Sequence, residues 1–132
     1  QLALPFRKPC VHLSPKSMLR HPLAVSAMSD FAEGTSFQEV IGDKYADPKK
    51  VKRVLLCSGK VYYDLLDKQQ KEGRTDVAIV RVEQLSPWPF NALKDTLQKY
   101  KNAEVCWSQE ENKNNGVWSF AEPRFRNQLK AL

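Results

Sequence analysis

Three short apolar runs constrain this chain more than any other feature. They are Val54 to Cys57 inside VKRVLLCSG (Val51–Gly59), VAIVRV (Val77–Val82) and EVCW (Glu104–Trp107). A nearly unbroken apolar run of this length reads as a strand covered on both faces, the habit of parallel sheets. Between the first two runs, Val61, Tyr62, Leu65, Leu66 and Gln69 recur at three- and four-residue spacing, which predicts a helix over 61–72 that Gly73 stops. Between the second and third, Phe90, Leu93, Leu97 and Tyr100 trace one face of another helix. Strand, helix, strand, helix, strand is the pattern of parallel strands joined by crossovers. The expected fold is therefore α/β, a mostly parallel open sheet with helices on both faces.

The flanks are less regular. Pro9 to Leu13 (PCVHL) reads as a short strand stopped by Ser14-Pro15. A helical pattern starts at Lys16, is broken by Pro22 and resumes from Leu23 to about Phe31, with Gly34 behind it. Phe37 to Ile41 alternates as an exposed edge strand does, and Gly42 to Lys50 is a loop. In the last segment, opened by Gly116, the apolar anchors are Trp118, Phe120 and Phe125, and Pro123 predicts the first turn of a second short helix.

At 132 residues the chain suits a single domain with a real core. Its 42% hydrophobic and 27% charged residues are a globular rather than a disordered profile. No apolar run approaches the ~20 residues that cross a bilayer. There is no initial methionine, and FRNQLKAL ends the sequence without a helix stop, so the expectation is a piece of a longer protein with residues 1–8 as the incoming connection. Cys10, Cys57 and Cys106 are far apart and beside apolar neighbours, which suits reduced, buried thiols. The net charge of +6 raises nucleic-acid binding, but the excess is spread along the chain. Its densest patch, DPKKVKR (Asp47–Arg53), has no interleaved aromatic residues to stack bases. Nucleic acid is not the expected partner.

Two stretches invite chemistry. Ser58, Gly59 and Lys60 sit where a buried strand turns into a helix, and open α/β sheets bind ligands at the carboxyl ends of their strands. Backbone N–H groups at a helix start attract anions, and Lys60 adds a charge, so an anion or effector site is one reading and an ordinary tight turn the other. The phosphate-loop pattern itself is missing, since Val61 stands where a metal-binding hydroxyl would be. The second stretch is WSQEENKNNGVWSF (Trp107–Phe120). Adjacent acids on a turning backbone point apart, so Glu110 and Glu111 do not read as a converging acid/base pair. Trp107, Gln109, Glu110, Glu111, Asn115, Gly116 and Trp118 read instead as a structural or interfacial loop, with tryptophans anchoring it and Asn112, Asn114 and Asn115 satisfying backbone groups. His12 and His21 belong to no metal or triad spacing. No catalytic, cofactor-binding or metal residue is assigned.

Five collinear stretches then carry a resemblance: LPFRKP (Leu4–Pro9), SPKSMLRHP (Ser14–Pro22), VKRVLLCSGKVYYDL (Val51–Leu65), VAIVRVEQLSPWPF (Val77–Phe90) and YKNAEVCWSQEENKNNGVWSF (Tyr100–Phe120). Together they resemble the C-terminal domain of the thiamine-diphosphate-dependent 2-oxoglutarate dehydrogenases, the decarboxylating first component of that complex. The paralogous 2-oxoadipate dehydrogenases are similar too, in VIGDKYADPKKVK (Val40–Lys52) and GVWSFAEPRF (Gly116–Phe125). The resemblance implies a transketolase-like C-terminal domain within a longer enzyme. It also implies thiamine diphosphate and magnesium on earlier domains, an obligate homodimer and a lipoyl-bearing succinyltransferase as partner. The location implied is the mitochondrial matrix in a eukaryote and the cytoplasm in a bacterium. In some bacterial relatives a regulatory site for acetyl-CoA or AMP involves this domain. A stand-alone anion- or nucleotide-binding regulatory module is the alternative class.

Overall fold

A computed structural model describes residues 5–9, 11 and 13–130. Four strands form one sheet in the order β1-β3-β2-β4: β1 (Val40–Ile41), β2 (Arg53–Cys57), β3 (Val77–Val82) and β4 (Glu104–Trp107). β2 pairs in parallel with β3 and with β4, and β1 runs antiparallel along the outer side of β3. Helices α1 (Val61–Lys71), α2 (Phe90–Leu97) and α3 (Trp118–Lys130) complete a small α/β domain.

The strand alternation assigns the two faces. Val54, Leu56, Ala78, Val80 and Val82 share one core with Leu93 and Leu97 of α2 and Ala121 and Phe125 of α3. Cys57 and Ile79 point the other way, onto Leu66 of α1. Leu56, Val54, Val80, Val82, Leu93 and Cys57 are sealed from solvent, so β2 and β3 are covered on both sides as their unbroken apolar runs require. Fully burying one such side chain contributes about 1.5–3 kcal/mol. α1 stops as its sequence dictates: Gly73 takes φ +60, its amide bonds Gln70 O and the Arg74 amide bonds Gln69 O.

β3 and β4 occupy the residues expected of them, and β2 and α1 lie within theirs. Differences gather at the flanks. Pro9, Val11 and Leu13 carry no strand, while Cys10 and His12 lie outside the described residues. Only a 3-10 turn forms at Lys16–Arg20 and another at Met28–Phe31, in place of a helix resuming at Leu23. Val11, Leu13, Leu19, Val25, Met28, Phe31 and Phe37 are 69–90% exposed, so no core holds this segment in regular structure. The edge strand is two residues rather than five. Phe90 is exposed, leaving Leu93, Thr96, Leu97 and Tyr100 as the inward side of α2 and its exit. Pro123 starts no second helix. It lies inside α3, where burial of Ala121 and Phe125 on either side outweighs one missing backbone bond.

Candidate functional site

β2 leads through α1 to β3 on one side of it, whereas β4 lies on its other side. The chain therefore reverses its direction across the sheet at β2, and the loops leaving β2 and β4 diverge there, at the carboxyl ends of the strands. That crevice is where open α/β sheets place ligands. It brings together the two stretches that stand about fifty residues apart in sequence.

The turn after β2 bends at Gly59, φ +78, and Lys60 caps α1. Across the crevice the Ser108 amide bonds Leu56 O at 2.7 Å, extending the β2–β4 ladder by one residue. Lys60 Nζ then meets Glu110 Oε1 at 2.7 Å and Asp64 Oδ2 at 3.2 Å. Hydrogen bonds donated to Glu110 and then to Asp64 raise the Lys60 pKa above its usual value. Glu110 thus sits as an anion at the helix start, supplied by the chain itself. Ser58, Gly59 and Lys60 are on the surface or half-buried, and the anions held at this turn are the carboxylates of Glu110 and Asp64.

Glu111 points elsewhere. Its side chain covers Gly116, φ +67, so closely that a Cβ there would lie 2.8 Å from Glu111 Oε2. The two adjacent acids diverge and share no target.

The loop is organised by one side chain. Gln109 Nε2 donates to Asn115 O at 2.8 Å, Asn112 O at 3.0 Å and Glu111 O at 3.2 Å. Its Oε1 accepts from Trp107 Nε1 at 3.0 Å and from the Trp118 amide at 3.1 Å. The task expected of the three asparagines falls to Gln109, whose longer side chain reaches the loop's interior from the strand end. Trp107 and Trp118 are both half-buried. Trp107 lies 6.3 Å from the buried Trp88 ring and Trp118 6.5 Å from Phe125. Shallow concavities of ≈ 390 and ≈ 500 Å³ flank Trp118, the first with Trp107 and Lys113, the second with Glu122 and Arg126.

Sequence reasoning passed over two further polar centres. Asp43 Oδ1 accepts from the Tyr45 and Ala46 amides, and its Oδ2 from Gln69 Nε2 at 3.0 Å and the Ile79 amide at 2.8 Å. One carboxylate therefore ties the loop after β1 to α1 and β3. Arg81, an ion inside an apolar strand, lies 4.5 Å from the Tyr62 ring and 2.7 Å from Glu83. Burial works to lower its pKa, and the Glu83 carboxylate outweighs that and raises it. Arg81 and Glu83 border a ≈ 670 Å³ cavity beside the segment 22–45. A lone charge in VAIVRV was the available signal for Arg81, and Asp43 three residues before Ala46 was a turn signal. Gln109 had none.

His21 Nδ1 accepts from the Leu23 amide at 3.2 Å and its ring lies 5.0 Å from Tyr63. Cys57 is buried, and desolvation pushes its thiol up to about 12, while Cys106 is half-buried; both are free thiols. Among the described residues no group of three His, Cys, Asp or Glu is placed to hold a metal ion. No described helix is long and apolar enough to cross a membrane.

Fold and crevice together define a mixed-sheet α/β domain whose strand-end loops are bound to each other through Lys60 and Glu110. Residues 25–132 match the family described as "2-oxoglutarate dehydrogenase C-terminal". The chain belongs to that family. It is 50% identical to the mitochondrial 2-oxoglutarate dehydrogenase of Caenorhabditis elegans over 98% of its own length and 13% of the relative's. It is 51% identical to the 2-oxoadipate dehydrogenase complex component E1 of Danio rerio and 48% identical to that of Homo sapiens, over 98% of its own length and 14% of each. The chain thus spans a small part of these relatives.

Proposed function

We propose that this chain is the transketolase-like C-terminal domain, residues 1–132, of a thiamine-diphosphate-dependent 2-oxo acid dehydrogenase. The parent decarboxylates 2-oxoglutarate and passes the succinyl group to the lipoyl of a succinyltransferase, in the mitochondrial matrix of a eukaryote or the cytoplasm of a bacterium. The observation that carries this is the family match over 25–132 with about half of all residues identical to named dehydrogenases across nearly the whole chain. A 2-oxoadipate substrate is the second reading, favoured by the equally high identity to the Danio rerio component.

In the parent this domain supports the homodimer and the neighbouring domains, and thiamine diphosphate and magnesium are held elsewhere. Two features support that role. Val25, Met28, Phe31 and Phe37 are 69–86% exposed along one short segment, an apolar surface that a monomer in water rarely leaves bare. Gln109 fixes Trp107 and Trp118 beside open concavities, the make-up of an interface rather than of a reacting centre. At the β2 turn, a phosphate-bearing effector would have to take Lys60 from Glu110, so Ser58, Gly59 and Lys60 form an anion site gated by that carboxylate.

The test is turnover of the full-length parent, corrected for folded dimer, on both oxo acids. Glu110→Gln should leave turnover near wild type, and Trp118→Ala should lose dimer before it loses chemistry. Abolished turnover in a fully dimeric Glu110→Gln enzyme makes the carboxylate catalytic and overturns the structural reading. The isolated 132 residues, given thiamine diphosphate and magnesium, should decarboxylate neither acid. A higher kcat/KM on 2-oxoadipate would select the second substrate.

A further inference from the structure

Gln69 of α1 is 6% exposed, and its side-chain amide is pinned through its nitrogen. Nε2 donates to Val77 O at 2.8 Å and to Asp43 Oδ2 at 3.0 Å. Both partners only accept, so turning the amide over would set oxygen against oxygen. The orientation is therefore fixed. Oε1 is left buried and finds no donor among the described residues. Buried acceptors in proteins are almost always hydrogen-bonded, and an unpartnered one asks for a donor.

The same residue lines a cavity of ≈ 150 Å³ beside α1. The apolar walls are Leu55 of β2, Leu65 of α1, and Val77 and Ile79 of β3. A cavity of about 150 Å³ with aliphatic walls takes one benzene-sized ring. Lys68, Glu72 and Arg74 border it as well. Lys68 Nζ lies 3.7 Å from Glu72, and Arg74 donates to both oxygens of Asp76 at 2.7 and 2.9 Å. These cations face carboxylates rather than Gln69 Oε1.

We infer that this slot binds a small phenol, with the ring between Leu55, Leu65, Val77 and Ile79 and the hydroxyl donating to Gln69 Oε1. Two demands select that class. A bare hydrocarbon ring fits the walls but leaves the acceptor unmet, at the cost of keeping a buried polar atom unpaired. A sugar or a small amine meets the acceptor but gains little from four apolar walls. Occupancy also reaches beyond the slot. Gln69 Nε2 and the Ile79 amide share Asp43 Oδ2, so a ligand that holds Gln69 braces the junction of α1, β3 and the loop after β1.

The experiment is a fluorine NMR titration of the full-length parent with para-fluorophenol and with para-fluorotoluene, which matches it in size but has no donor. The phenol should bind with a Kd of roughly 1 mM and the toluene about tenfold more weakly. Leu65→Phe fills the slot from a partly buried position and should abolish phenol binding while turnover stays at wild type. Gln69→Met keeps the slot, removes the acceptor and should bring the two probes to equal affinity. Should Gln69→Met fail to fold, the wild-type comparison of the two probes decides. Equal affinity of both probes for the wild type overturns the inference, because water then serves Oε1. Phenol binding that survives Leu65→Phe overturns it too, as does no phenol binding up to about 10 mM. Binding is read without turnover, so the result holds whichever 2-oxo acid the parent takes.

Discussion

Replacing Gln109 with Ala removes the side chain that closes the β4–α3 loop. Its amide group faces three carbonyls at 2.8, 3.0 and 3.2 Å but has two hydrogens, so one hydrogen is shared. Its oxygen takes two further donors, the Trp107 indole and the Trp118 amide. Four full bonds at about 0.5–1.5 kcal/mol each give about 2–6 kcal/mol. The three carbonyls lie in an exposed loop and regain water on truncation, so the lower end applies and about 2–3 kcal/mol is expected. Urea unfolding followed by tryptophan fluorescence measures this, because two of the three tryptophans border the loop. At an m-value of roughly 1–3 kcal/mol per molar, the midpoint should fall by about 1–2 M. Gln109→Glu should be no better, since it retains the acceptor but turns an anion towards three carbonyl oxygens. Asn115→Ala should cost under about 0.5 kcal/mol, as a surface change does. A Gln109→Ala loss smaller than that of Asn115→Ala would refute the hub.

The other predictions concern separate groups. Gly116→Ala forces a Cβ into Glu111 at φ +67, whereas Gly73→Ala, at φ +60, meets open space. The first should cost more than the ~1 kcal/mol of left-handed backbone alone and the second about that much, as paired thermal melts would show. Asp43→Ala strands the Ile79 amide, leaves Gln69 Nε2 with Val77 O alone, and should cost about 2–3 kcal/mol, read as lost exchange protection at Ile79. The Cys57 thiol, raised from 9.0 to about 12 by burial, favours the fold while protonated. Its contribution is fully present below pH 9 and is lost as pH rises from about 9 through about 12, a decline that Cys57→Ala should flatten. The same thiol should resist alkylation at pH 8 until the domain is unfolded.

The sheet was legible where a run is apolar on both faces. VAIVRV and EVCW match their strand limits to the residue: in VAIVRV Ala78, Ile79, Val80 and Val82 are buried and leave no alternative state, while the half-buried EVCW is held in line by its pairing with β2. The segment from Pro9 to Ile41 was over-read for the converse reason. Its Val25, Met28 and Phe31 are apolar and near helical spacing, but periodicity records which residues prefer cover, not whether this chain provides any. Both loops of the crevice were visible as strand-end features, since Gly59 and Gly116 mark turns. Their meeting through Lys60 and Glu110 was not, because strand order decides it and the sequence fixes no order between β3 and β4 around β2. The parting of Glu110 and Glu111 was foreseeable from backbone geometry. The role of Gln109 was not, as a glutamine after a strand has no positional meaning until the loop around it is closed.

The position of β2 at the centre of the sheet also sets an order of assembly. Cys57 and Val80, on β2 and β3, are 23 residues apart, while Arg53 and Glu104, on β2 and β4, are 51 apart. Each doubling of loop length costs about 0.6 kcal/mol in closure entropy, so β2, α1 and β3 form the cheaper nucleus. β4 docks afterwards, bringing Ser108, Gln109 and Glu110 against a surface already built. The Lys60–Glu110 contact lies on the seam between that nucleus and the β4 loop. An anion arriving at Lys60 therefore competes with the last step of folding.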